Sequence, residues 1–233
     1  MAKEQRVQKK VSKSSQPSTR GRRRTSRERP GWLTIGLIVV AAVVVGAVAL
    51  WPRPKAVSVD AARLADDPAL GPATAKVTIV EYGDFGCTTC RAWHKAGILN
   101  QILAAYGDKV RFVWRDFPVI TPQSPKAAEA GQCAYNQGKF WEYHDLLYER
   151  APALGVSDLK AYAAEIGLDT TKFNQCLDSG QHQATVDHDL QDALARGFRG
   201  TPSFLVNNQP LIGPPPLQTL QNLINPLLVS GGQ

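Results

Sequence analysis

Two thiols separated by two residues, Cys87-Thr88-Thr89-Cys90, carry the most chemistry in this chain. The preceding run at 76–82, Lys-Val-Thr-Ile-Val-Glu-Tyr, is short and rich in β-branched residues, and it reads as a buried strand. Gly83 to Gly86 then reads as a turn, so Cys87 falls where a turn gives way to a helix. Unpaired N–H groups and the macrodipole favour an anion at a helix N-terminus. A thiolate is the nucleophile in disulfide exchange, so Cys87 is expected to have a depressed pKa and to react first. Cys90, one turn on, can close a disulfide with it or resolve a mixed one. Thr88 and Thr89 add hydroxyls that could donate to the thiolate and tune it.

Other groups gather around this motif in sequence. Glu81 lies six residues before Cys87, in the strand that leads to it. A carboxyl group there is expected to be partly buried behind the helix, where it could exchange a proton with Cys90. Asp84 is the second candidate for that acid, although it reads more simply as a turn residue satisfied by backbone N–H groups. His94, one turn past Cys90, is expected to face solvent. A zinc site built on Cys87, Cys90 and His94 would need a fourth ligand, and none is nearby, so no metal is expected. A purely structural bridge is the other competitor, but it would have no use for a helix N-terminus. Further along, Gly200-Thr201-Pro202 precedes the apolar run 203–207. A proline that opens a strand can be held cis, which would free the Thr201 backbone for an incoming extended peptide, although the residues alone favour an ordinary trans bond.

The elements that must position these residues follow from periodicity. Apolar residues at 92, 93, 96, 99, 102, 103 and 106 define one face of a helix expected over 87–106, ended by Gly107. A second strand is expected at 110–114. A helical block follows, with segments at 126–137, 140–150, from Ser157 to Gly167, from Asp169 to Gly180, and at 182–196, each closed by a Gly or Pro signal. Strands at 203–207 and 210–212 flank a turn at 208–209, and Pro216 opens a last helix reaching about residue 229. The order β, α, β, helical block, β, β, α fits an α/β domain at 76–121 and 197–233, interrupted by a helical insertion at 122–196. The aromatic residues Phe140, Trp141, Tyr143 and Tyr148 fall at helical spacing and are expected in the core.

The N-terminal quarter differs in kind. The net charge of +7 comes from a tail: residues 1–31 hold 11 Lys/Arg against 2 Asp/Glu, which leaves 16 against 18 in the remainder. The folded part therefore has no electrostatic footprint for nucleic acid. Residues 32–50 carry no charge and would span about 28 Å as a helix, close to the thickness of a bilayer's hydrocarbon core. Trp32 and Trp51 flank the run, and the Arg22-Arg23-Arg24 cluster precedes it. One transmembrane anchor over 32–51 is thus expected, with residues 1–31 cytoplasmic, a linker at 52–75, and the rest extracytoplasmic. Cleavage of a signal peptide near Ala49 is the alternative, and it leads to the same oxidising space.

Together these pieces resemble the DsbA family of thiol:disulfide oxidoreductases, thioredoxin-like proteins, in a membrane-anchored form. The resemblance covers about residues 74–230. It rests on Asp84-Phe85-Gly86-Cys87-Thr88-Thr89-Cys90 after its strand and on the stretch from Cys133 through Gly138-Lys139-Phe140-Trp141 to Asp145. It rests also on Phe173-Asn174-Gln175-Cys176-Leu177 and on Gly200-Thr201-Pro202-Ser203-Phe204. It implies a thioredoxin-like fold with an inserted helical domain, Cys87 as nucleophile, Cys90 as resolving thiol, Glu81 as buried acid, and a cis Pro202 beside Thr201 at the substrate side. It implies no cofactor. The implied partners are reduced exported proteins and a membrane partner, plausibly quinone-linked, that re-oxidises the dithiol. One departure is Thr88, where the family commonly has proline. That dipeptide tunes the potential, so the direction of electron flow stays open between an oxidase and a reductase or isomerase. A binding or assembly module with a non-catalytic motif is the reading of another class. Cys133 and Cys176 remain over in an oxidising compartment, and a structural disulfide is expected between them. Two buried thiols or a second redox pair are the alternatives.

Overall fold

The computed structural model describes Leu64 and residues 66–229. Five strands form one sheet in the order β1-β3-β2-β4-β5: β1 Ala69–Leu70, β2 Val77–Gly83, β3 Val110–Asp116, β4 Ser203–Val206 and β5 Gln209–Ile212. β2 and β3 run parallel, from Val77 opposite Val110 to Gly83 opposite Asp116. β4 lies antiparallel to β2, with Glu81 opposite Phe204. The central strands are buried on both faces, which explains their β-branched, nearly uninterrupted apolar sequences. The pleat sorts them. Val77 and Ile79 join Phe112, Phe204 and Val206 under one set of helices, while Val80 and Tyr82 join Val113 and Leu205 on the other side.

The helix expected over 87–106 is two: α1 Thr88–Lys95 and α2 Ile98–Tyr106. Gly97 lies between them at φ 67°, a left-handed conformation that glycine adopts without strain. The apolar period continues across the break because Trp93, Leu99 and Ile102 all enter the same cluster. The region at 52–75 is not only a linker. β1 pairs antiparallel with β3 through Ala69 and Leu70. Asp67, just before it, accepts a 2.8 Å bond from the buried Arg115, which also reaches Asp192 at 2.7 Å. Two residues carry no readable period, and Pro68 beside them signals a loop, which is why this strand escapes sequence reading.

The helical block comprises α3 Ser124–Tyr135, α4 Phe140–Arg150, α5 Val156–Glu165, α6 Thr170–Ser179 and α7 Gln183–Ala195. Cys133 on α3 and Cys176 on α6 form a disulfide. Block and sheet belong to one compact unit. They share a core in which Phe85, Cys87, Cys90 and Trp114 pack with Phe140, Tyr143, Tyr148 and Phe173. Of the expected core aromatics only Trp141 is half-buried. The turn after β4 sits one residue early, with Asn207 at φ 51°, and α8 Leu217–Val229 starts just after Pro216. Among the described residues no helix is long and apolar enough to cross a membrane. The expected tail at 1–31 and span at 32–51 lie outside those residues.

Candidate active site

β2 ends at Gly83, and Asp84 turns the chain by accepting bonds from Gly86 N–H at 2.7 Å and Ile120 N–H at 2.8 Å. That is the turn role expected of it. Burial of Asp84 pushes its carboxyl pKa upward. Cys87 is then the N-cap of α1, with extended backbone at φ −82° and ψ 117°. Its Sγ accepts from Cys90 N–H at 3.3 Å, and its own S–H faces the Thr201 carbonyl at 3.4 Å. The Cys87 side chain is buried among Phe85, Trp114 and the helical block.

The two thiols have opposite electrostatics. Cys87 is lowered to about 6, first by the hydrogen bond that the Cys90 thiol gives its sulfur, with burial opposing. Thr201 and the backbone N–H groups of Cys90 and Thr89 lower it further. The Thr201 hydroxyl is buried and has no hydrogen-bond partner, so it is free to serve the thiolate. Cys90 is pushed far above the ordinary thiol range by burial, by its bond to Cys87 and by the charge of Glu81. Cys87 thus ionises near neutrality, while Cys90 holds its proton. Thr88 and Thr89 are exposed, and it is the Thr89 backbone that assists the anion. In the dithiol form, thiolate absorbance should therefore show one transition near pH 6, and Cys90→Ala should move it toward the ordinary thiol value by removing a donor. A midpoint unmoved by Cys90→Ala would contradict this assignment.

The Thr201–Pro202 bond is cis, as the resemblance implied, and it sets the Thr201 carbonyl against Cys87. Glu81 is fully buried on the face of β2 shared with Val77 and Ile79, the face that α1 covers. One of its oxygens, Oε2, meets His94 Nε2 at 2.8 Å, and the other, Oε1, has no partner. His94 is the side chain beside the site that sequence reading placed in solvent. Its side chain is only 10% exposed, and it stacks on Tyr148 at 5.1 Å between ring centroids. The available signal was its face: Cys90, Trp93 and His94 follow at i, i+3 and i+4, and the first two are buried. Cys133, Cys176 and His182 also lie close, with their donor atoms within 4.8 Å, but both sulfurs are consumed in the disulfide and offer no thiolate to a metal.

The geometry has counterparts. The antiporter NhaA of Herminiimonas arsenicoxydans is 41% identical over 143 residues, 61% of this chain and 22% of that protein. NhaA 3 of Salinispora tropica is 37% identical over 152 residues, 64% of this chain and 23% of that protein. The chain thus spans under a quarter of the length of these curated relatives. A thioredoxin-like oxidoreductase from Silicibacter pomeroyi superposes with a TM-score of 0.64 at 28% identity, over 70% of this chain and 93% of that one. Oxidised BdbD from Bacillus subtilis superposes with a TM-score of 0.65 at 22% identity, over 71% and 95%. The thiol-disulfide exchange protein alpha-DsbA2 from Wolbachia pipientis does so with 0.63 at 20% identity, over 70% and 87%. The strand–turn–dithiol–helix unit facing a cis proline thus sits in a fold shared with thiol–disulfide oxidoreductases. The thioredoxin family model matches residues 64–226, from the segment before β1 well into α8, and this chain belongs to the thioredoxin family.

Proposed function

We propose that this protein is an extracytoplasmic thiol:disulfide oxidoreductase that introduces disulfides into exported proteins through Cys87 and Cys90. The observation that carries this reading is the asymmetry of the dithiol: Cys87 caps α1 and accepts from Cys90 N–H at 3.3 Å, while Cys90 is fully buried, which lowers Cys87 to about 6 and keeps the proton on Cys90. A substrate thiolate attacks Cys87 of the disulfide form, and Cys90 departs and takes up a proton. A second substrate thiol then displaces Cys87 as a thiolate. Because the folded protein lowers the Cys87 pKa from 9.0 to about 6, it stabilises the reduced state; this gain is complete above about pH 9 and is lost as pH falls through 6. A disulfide whose reduced form is stabilised is the stronger oxidant.

Glu81 is the proton partner of Cys90 in this reading, and the Thr201–Pro202 edge receives the substrate backbone. No cofactor is called for. The apolar run 32–51 would anchor the protein with its basic N-terminus inside, beside a membrane partner, quinone-linked, that restores the disulfide. Release after cleavage near Ala49 would leave the same chemistry. Antiport is not carried over from relatives of which so small a share is matched.

The test is the reduction potential of the full chain against glutathione buffers, with alkylation and mass analysis to show which cysteines titrate. An oxidase should give a potential near about −120 mV, with Cys87 and Cys90 as the titrating pair. A value near about −270 mV would make it a reductase, kept reduced from across the membrane. No titration of that pair would return the motif to a structural or metal role.

A further inference from the structure

Cys90 presents a proton problem. It has no exposed surface, so water cannot protonate it directly when it leaves as a thiolate. Glu81 is equally buried, and it can give up one proton but cannot recover it from solvent unaided. His94 borders both this interior and the surface, with its side chain 10% exposed. Its Nε2 lies 2.8 Å from Glu81 Oε2, and its ring lines a cleft of about 310 Å3 on the protein surface. The cleft is also lined by Lys95, Asn100, Asp145, Tyr148 and Glu149.

We propose that His94 is a proton relay between this cleft and Glu81, a positioning residue that acts on Cys90 through the buried carboxyl group. The inference rests on the exchange chemistry proposed above. A substrate thiolate attacks Cys87 Sγ, the S–S bond breaks, and Cys90 leaves with the electron pair. Glu81, as the carboxylic acid, gives Cys90 its proton from Oε1, the oxygen that makes no other bond. The imidazolium of His94 returns a proton from Nε2 to Oε2, and water in the cleft restores the imidazolium. Re-oxidation of the dithiol runs the same transfers backwards. Reduction of the Cys87–Cys90 disulfide needs no reductant beyond the substrate dithiol, and its re-formation draws its oxidant from the membrane partner proposed above.

The groups around the ring fit this task. His94 makes an edge contact with His144 at 4.6 Å between centroids and stacks on Tyr148 at 5.1 Å, both on α4. Burial lowers His144 to about 4, so it stays neutral at ordinary pH and does not compete as a proton store. Burial raises Tyr148 well above the ordinary phenol range, so it keeps its own proton. Phe112 and Trp114 from β3 pack against the ring edge and bring no charge. Asp145 and Glu149 from α4 are exposed at the cleft and favour a cation there, with Lys95 on α1 opposing them.

The experiment measures how fast a peptide dithiol reduces the disulfide form of the full chain, by acid quench and mass analysis of Cys87 and Cys90. His94→Ala should slow the reaction about tenfold, a modest share of what general acid catalysis supplies. Added imidazole should enter the vacated cleft and restore most of the rate, in proportion to its imidazolium fraction. His94→Gln keeps a donor toward Glu81 but cannot relay, so it should be as slow as His94→Ala; it also serves if the alanine variant fails to fold. An unchanged rate in either variant overturns the relay. So does slowing that imidazole leaves in place, or a glutamine variant at the wild-type rate, since a merely structural role predicts both. A wild-type chain that fails to react with the dithiol would instead overturn the exchange reading itself.

Discussion

Cys87→Ser should abolish disulfide exchange, with a loss of roughly three orders of magnitude or more, as expected when a covalent nucleophile is removed. A serine hydroxyl does not ionise near neutrality and cannot form the S–S bond on which both half-reactions depend. With its pKa at about 6, Cys87 is mostly thiolate at pH 7, so the wild type begins each re-oxidation with its nucleophile already charged. Cys90→Ser should behave differently. It should still attack a disulfide reagent through Cys87, then stall as a persistent mixed disulfide because the resolving thiol is gone. Insulin-reduction turnover and intact mass separate the two variants. Retained turnover in Cys87→Ser would overturn the dithiol mechanism, and a stalled adduct on Cys90 of that variant, with none on Cys87 of Cys90→Ser, would reverse the assigned roles.

The positions of these two thiols were legible because their causes are local. A β-branched strand, a Gly-bounded turn and two thiols at the head of an amphipathic run fix where Cys87 and Cys90 lie, whatever the rest of the chain does. The burial of Glu81 also follows from local pattern, since it continues the face of Val77 and Ile79 at two-residue spacing in a strand covered on both faces. The partners of these residues were less legible because tertiary packing makes them. Glu81 and His94 meet only because α1 crosses β2 at one particular place, and the chain between them gives no distance. The Thr201 carbonyl reaches Cys87 across 114 positions of sequence. Arg115 finds Asp67 and Asp192 in the same way, which is how a segment read as linker becomes part of the sheet. The break at Gly97 had a local signal, the glycine itself, but the unbroken apolar period outweighed it.

The second large effect concerns stability, not rate. Cys133 and Cys176 are 43 positions apart and tie α3 to α6 inside the core that also holds the dithiol. By loop entropy such a bridge stabilises the fold by about 4 kcal/mol, although strain and residual structure in the unfolded chain reduce what is measured. Cys133→Ser should therefore lower the melting temperature by about 10 °C for a domain of this size. It should not prevent folding. Phe173 and Leu177 still anchor α6 with no exposed surface, and a domain of this length buries enough of its own area to stand without a staple. The double variant Cys133→Ala with Cys176→Ala removes the bridge without burying a new hydroxyl, so the part of the loss it shares with Cys133→Ser belongs to the bridge. Exchange by Cys87 should persist in both variants below the new midpoint, because the hydrogen bonds that lower its pKa come from Cys90, Thr201 and Thr89. Lost turnover at unchanged stability would mean the opposite: a second redox pair passing electrons to the first. Position argues against that, since Cys133 and Cys176 lie within α3 and α6, away from the N-terminal N–H groups that favour a thiolate at Cys87.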